Sequence, residues 1–100
     1  MEEKRVHPRI PINIDVSCEL KNGAAVTGIG KDLSLGGMFI ESEQTPEFGA
    51  NITIVTRLPG ASAESRLPGV VRWAKPGGFG VQFGLLGARE THAITTLLRS

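Results

Sequence analysis

Two short stretches of this chain hold residue types whose spacing could do chemistry. Arg5 and Arg9 form an Arg-x-x-x-Arg pair near the start, and residues 31–40, KDLSLGGMFI, contain Asp32-x-Ser34-x-x-Gly37. Each guanidinium is a planar fork of donors that can pair with a phosphate or with O6 and N7 of guanine. A carboxylate accepts hydrogen bonds from the N1–H and amino edge of guanine, and a serine hydroxyl serves as donor or acceptor. Glycine lets the backbone approach a flat base or a phosphate with no Cβ in the way. Both clusters also have a plain reading. A chain this rich in arginine yields such pairs by chance, and the arm would then be a solvated tail. Asp32 and Ser34 could make Asx and Ser turns with Gly36 and Gly37 at positive φ, and on spacing alone the turn is the stronger reading.

Composition bounds what can position these groups. One hundred residues make one domain, large enough for a single core without disulfide or metal staples. The apolar 40% is scattered in short stretches, so neither a membrane-spanning helix nor a signal-peptide core is expected. A lone cysteine, Cys18, cannot form an internal disulfide and suits a reducing cytoplasm. Net charge is +1, with Lys4, Arg5, His7 and Arg9 crowded into the first residues and partly offset by Glu2 and Glu3. This is a local basic site, not the broad cationic face that duplex DNA requires.

Hydrophobic alternation supplies the scaffold. Ile10, Ile12, Ile14, Val16, Cys18 and Leu20 alternate with polar residues and Pro11, the signature of a strand with one buried face. Pro11 lacks an N–H and argues for an edge or for the strand's first residues. Residues 21–23, KNG, make a turn, and the return strand over 25–31 is weakened by Gly28 and Gly30, which suggests a bulge or a sharp bend. Further strands are expected over 38–42, 51–58, 66–75 and 79–83, separated by turns at Pro46, Gly49 and residues 76–78, PGG. Regular spacing favours an all-β sandwich or barrel. From Ala88 to Arg99 the period changes, and Ala93, Ile94, Leu97 and Leu98 make the apolar stripe of a short helix that must dock to persist. Residues 1–8 carry no structural signal of their own.

Other candidate residues are weaker. Cys18 falls on the apolar face of the first strand and reads as a buried structural thiol. His7 and His92 lie far apart without evident partners and read as surface histidines. Trp73 could stack on a guanine, although core packing is the commoner role of a lone tryptophan. No nucleophile elbow, phosphate loop or metal-ligand cluster is present, so neither catalysis nor a metal or other cofactor is expected. A single-stranded nucleic-acid barrel needs a basic groove with several stacking aromatics. Most of Phe39, Phe48, Trp73, Phe79 and Phe83 fall at positions expected to face inward.

The arginine pair just before the first strand, followed one hairpin later by Asp-x-Ser-x-x-Gly, resembles the PilZ family, whose members are six-stranded β-barrels that bind the bacterial second messenger cyclic di-GMP. DLSLGGMFI is similar to the family's second motif and its strand. VVRWAKPGGFGVQF is similar to its closing hairpin, with Gly80, Val81 and Phe83 in the expected pattern. The resemblance runs from Arg5 to the final helix, and both motifs are complete. It implies an all-β, six-stranded antiparallel barrel with a short C-terminal helix over residues 10–100, preceded by a flexible arm over residues 1–9.

The resemblance also implies roles. Arg5 and Arg9 would grip guanine edges and phosphates of cyclic di-GMP, Asp32 and Ser34 would contact a guanine edge, and Gly37 would hold the loop in shape. Gly36 and Trp73 are accessory contacts. Lys4 is another, because a basic residue ahead of the pair accompanies binding of two stacked ligand molecules in the family. Ligand would order the arm over the barrel and create a surface for an effector protein that the sequence does not name. A cytoplasmic bacterial receptor follows, with neither DNA nor RNA as partner and no membrane insertion. The alternative is a protein-interaction module of the same fold that does not respond to nucleotide.

Overall fold

The alternation of apolar and polar residues from Ile10 onward produces β1, Ile10–Leu20, in the computed structural model of the chain, which describes residues 9–99. Pro11 is its second residue, so the expected position near a strand start is the one observed. The chain reverses at Gly23, which adopts φ 91°, while Asn22 Oδ1 accepts the Ala24 N–H at 2.9 Å. There follow β2, Ala25–Leu33; β3, Gly37–Glu41; β4, Asn51–Thr56; β5, Ser65–Lys75; and β6, Gly78–Phe83. Gly77, at φ 92°, makes the tight turn between the last two. All neighbours are antiparallel in the order β1-β2-β3-β6-β5-β4, and β4 returns to pair with β1, closing the expected six-stranded barrel. Two boundaries differ from expectation by two residues, since β2 runs on to Leu33, taking Asp32 into the strand, and β4 stops at Thr56; β3, β5 and β6 shift by one residue each.

Every strand contributes to one core. Cys18, Leu33, Ile40, Ile54, Leu67, Val71 and Phe79 are fully buried inside the barrel. Burying each large apolar side chain is worth about 1.5–3 kcal/mol, and the sum holds the barrel together. Thr56 also points inward, and its hydroxyl donates to the Asp15 carbonyl at 2.6 Å, as a buried polar group must. The helix α1, Ala88–Arg99, docks through Ile94, which is fully buried. No helix among the described residues is long and apolar enough to cross a membrane.

Three register shifts interrupt the ladders: one in β1 between Pro11 and Ile14, and two more that decide which side chains of β2 and β5 face outward. Between β2 and β3, Gly30 pairs with Ile40 and Asp32 pairs with Phe39, so Lys31 is an extra residue in β2. Between β5 and β6, Val71 pairs with Val81 and Trp73 with Gly80, so Arg72 is extra in β5. Each bulge moves the residues after it to the opposite face. Leu33 therefore turns into the core while Asp32 faces out, and Arg72 and Trp73 are both exposed. A bulge near Gly28 and Gly30 was expected from sequence. The one at Arg72 was not.

Candidate ligand-binding site

The bulges assemble one row of residues on the outer face of the barrel. Asp32 pairs with Phe39, Phe39 with Gly80, and Gly80 with Trp73, crossing β2, β3, β6 and β5 in a single line. At the usual strand spacing this row spans about 14–15 Å. Beside it runs a second row in which Gly37 pairs with Gln82. Arg9 precedes β1, whose Ile10 pairs with Leu33, and so enters beside the end of β2. Between these elements lies a cleft of about 360 Å³ whose lining includes Arg9, Ser34, Gly37, Arg72, Trp73 and Gln82.

Arg9 is fixed at the mouth of this cleft. Its Nη1 donates to Asp32 Oδ1 at 2.7 Å, and the Phe39 N–H donates to the same oxygen at 3.3 Å. Both contacts fall on Oδ1. A carboxylate has about four acceptor positions, so Oδ2 keeps capacity for another donor.

Ser34 lines the cleft and shapes its loop. It is only 3% exposed, and its Oγ accepts the N–H groups of Gly36 and Gly37, each at 3.1 Å, while the Ser34 N–H donates to the Gly37 carbonyl at 2.9 Å. The Gly36 carbonyl accepts the Phe83 N–H at 2.9 Å, tying the loop to β6. This is the Ser-turn chemistry of the plain reading, but its expected positive φ is absent at Gly36 and Gly37. Gly37 is required for a different reason: a Cβ there would lie 2.2 Å from the Val81 carbonyl oxygen.

The aromatic wall also departs from expectation. Trp73 is 45% exposed, so the core role favoured from sequence is wrong: the bulge at Arg72 turns the ring out of the barrel. The indole stacks on Phe39 with centroids 5.3 Å apart and planes 7° from parallel. Both rings lie where β6 has no side chains, since a Cβ on Gly80 would come within 2.3 Å of Trp73 Nε1 and one on Gly78 within 2.5 Å of Phe39 Cζ. Lys75 Nζ sits 5.5 Å from the Phe39 centroid and 5.8 Å from that of Trp73. Of the five aromatics, Phe79 and Phe83 are buried, Phe39 is half-buried, and Phe48 and Trp73 are exposed, so fewer look inward than expected.

The structure thus brings Arg9, Asp32, Ser34, Gly36, Gly37 and Trp73 to one place, whereas Lys4 and Arg5 lie outside the described residues. Sequence reasoning did not single out Arg72 or Gln82. The signal that could have found them is the alternation of Gly78, Gly80 and Gln82 on β6, which marks an outer face stripped for close approach. No cluster of His, Cys, Asp or Glu among the described residues could hold a metal ion.

A closed six-stranded antiparallel barrel carrying this motif loop defines a class of small β-barrel domain. A sequence model of the PilZ domain matches residues 3–100, and the chain belongs to that family. No curated protein sequence matches it significantly. Among solved structures, the PilZ domain of CeSA from a cellulose-synthesizing bacterium is 25% identical with a TM-score of 0.75, covering 92% of this chain and 95% of that one. The PilZ domain of YcgR from Escherichia coli, solved with cyclic di-GMP, is 14% identical with a TM-score of 0.80, covering 97% and 90%. MrkH of K. pneumonia, also solved with cyclic di-GMP, is 20% identical with a TM-score of 0.75; the match covers 99% of this chain but 52% of MrkH, so this chain spans about half of that protein.

Proposed function

We propose that this chain is a receptor for cyclic di-GMP. The observation that carries the proposal is the Arg9–Asp32 pair at the mouth of the cleft, where a cationic fork and an acidic acceptor stand within hydrogen-bond distance of each other. A cyclic dinucleotide with two phosphates and two guanines needs both kinds of partner. The fold shared with PilZ domains solved with that ligand supports the reading.

In this proposal Arg5 and Arg9 bind phosphates and guanine O6 and N7, and Asp32 Oδ2 accepts from a guanine amino edge. Ser34, which lines the cleft, contacts a guanine edge and also holds the Gly36–Gly37 loop through its Oγ. Trp73 offers an exposed indole on which a base can stack, and Lys4 adds charge for a stacked pair of ligand molecules. Ligand orders the arm of residues 1–9, which carries Arg5 and Arg9, over the barrel. Fixing each residue costs about 1–2 kcal/mol, which charge-assisted bidentate bonds offset when the nucleotide is bound. The closed arm then forms the surface that an effector protein reads.

Calorimetric titration of the purified chain with cyclic di-GMP, with GTP and cyclic di-AMP as controls, tests the proposal. Saturable binding of cyclic di-GMP, with weaker or no binding of the controls, is expected. No heat and no shift in melting temperature with cyclic di-GMP would remove it in favour of the nucleotide-independent interaction module.

A further inference from the structure

We propose that Arg72, held in plane by Gln82, reads the O6/N7 edge of a guanine stacked on Trp73. This rests on the cyclic di-GMP reading of the site and extends it to two residues outside both motifs. The bulge in β5 places Arg72 and Trp73, consecutive in sequence, on the same outer face, where regular alternation would have separated them. Gln82 lies two residues beyond Gly80, the glycine that Trp73 covers, and is therefore about 6–7 Å further along β6. Its Oε1 accepts the Arg72 Nε–H at 2.8 Å.

That bond uses the Nε–H and leaves the two terminal NH₂ groups to the cleft that Arg72 lines. A base lying on the indole projects its edges sideways, parallel to the ring and toward this wall. Guanine presents two acceptors on its O6/N7 edge, whereas adenine presents one acceptor and one donor. A guanidinium supplies only donors, so it favours guanine and meets the adenine amino group donor to donor. Arg9, the other arginine lining the cleft among the described residues, already spends Nη1 on Asp32. Arg72 is the fork oriented by a neutral partner, and no carboxylate among the described residues pairs with it.

The experiment compares wild type, Arg72→Ala, Arg72→Lys, Gln82→Ala and the double variant by calorimetry with cyclic di-GMP and cyclic di-AMP. Both side chains are exposed, so the variants should melt close to wild type. Arg72→Ala should weaken cyclic di-GMP binding about tenfold to a hundredfold and narrow the preference over cyclic di-AMP. Arg72→Lys, which keeps the charge but not the fork, should not restore it. Gln82→Ala should weaken binding less, and its effect should largely vanish on the Arg72→Ala background. Binding by Arg72→Ala within twofold of wild type overturns the inference while leaving the receptor reading intact. Full rescue by lysine overturns the base-edge role, and additive losses overturn the positioning role of Gln82. Absence of binding by the wild-type chain overturns receptor and inference together.

Discussion

Arg9 and Asp32, 23 positions apart in the chain, are joined by a 2.7 Å bond across the β1–β2 pairing. The arginine side chain is 39% exposed and the aspartate 34%. A pair that open to solvent contributes about 0.2–1 kcal/mol to folding, so its placement matters more for what enters the cleft than for stability.

Arg9→Ala should therefore separate binding from folding. Cyclic di-GMP heats should disappear, while apo-protein unfolding shifts by no more than about 1 kcal/mol. A collapse in melting temperature would instead make the pair a structural clamp.

Two glycines in the site should respond differently to alanine. At Gly37 the added Cβ meets the Val81 carbonyl oxygen at 2.2 Å, and relief requires parting β3 from β6, at a cost of about 1–3 kcal/mol. At Gly80 it meets the indole of Trp73, which is half in solvent and can lift away. Gly80→Ala should change tryptophan fluorescence and release the Phe39 stack with little loss of stability, whereas Gly37→Ala should lower the melting temperature measurably. Equal thermal effects would contradict this account of close approach.

Trp73 is the chain's single tryptophan, so its emission reports on the cleft directly. Ligand titration should quench it. Trp73→Ala should weaken binding about tenfold or more, because base–aromatic stacking is worth about 1–3 kcal/mol, and Trp73→Phe should recover part of the loss. An emission spectrum blind to saturating ligand would take the indole out of the site.

Cys18 is fully buried, and burial pushes its thiol up to about 12. In the unfolded chain it ionises near 9, so between roughly pH 9 and 12 the unfolded state releases a proton that the folded state keeps. The neutral thiol's contribution is complete below pH 9 and is lost as pH rises toward 12. Wild type should lose stability more steeply than Cys18→Ala across that window, by up to about 1.4 kcal/mol per pH unit in denaturant titrations. Iodoacetamide should label the native thiol only as fast as the protein opens.

The amino-acid order by itself determined an all-β chain with a final helix, and left sandwich or barrel to the family resemblance and to strand pairing. Period-two runs need one face in water and one in the core, and glycines at turns end them, so β1 and the final helix were legible residue by residue and the β5–β6 hairpin to within one residue at each strand start. It also marked Arg9, Asp32, Ser34 and Gly37 as groups with chemistry. Tertiary structure alone decided which faces those groups share. A bulge adds one residue to one strand only; Gly28 and Gly30 announced the one in β2, whereas nothing local marked the one in β5, which only the pairing with β6 shows. Lys31 and Arg72 are the added residues: they turn Asp32 and Trp73 outward into one row, place Arg72 beside Gln82, and leave Leu33 and Val71 to the core.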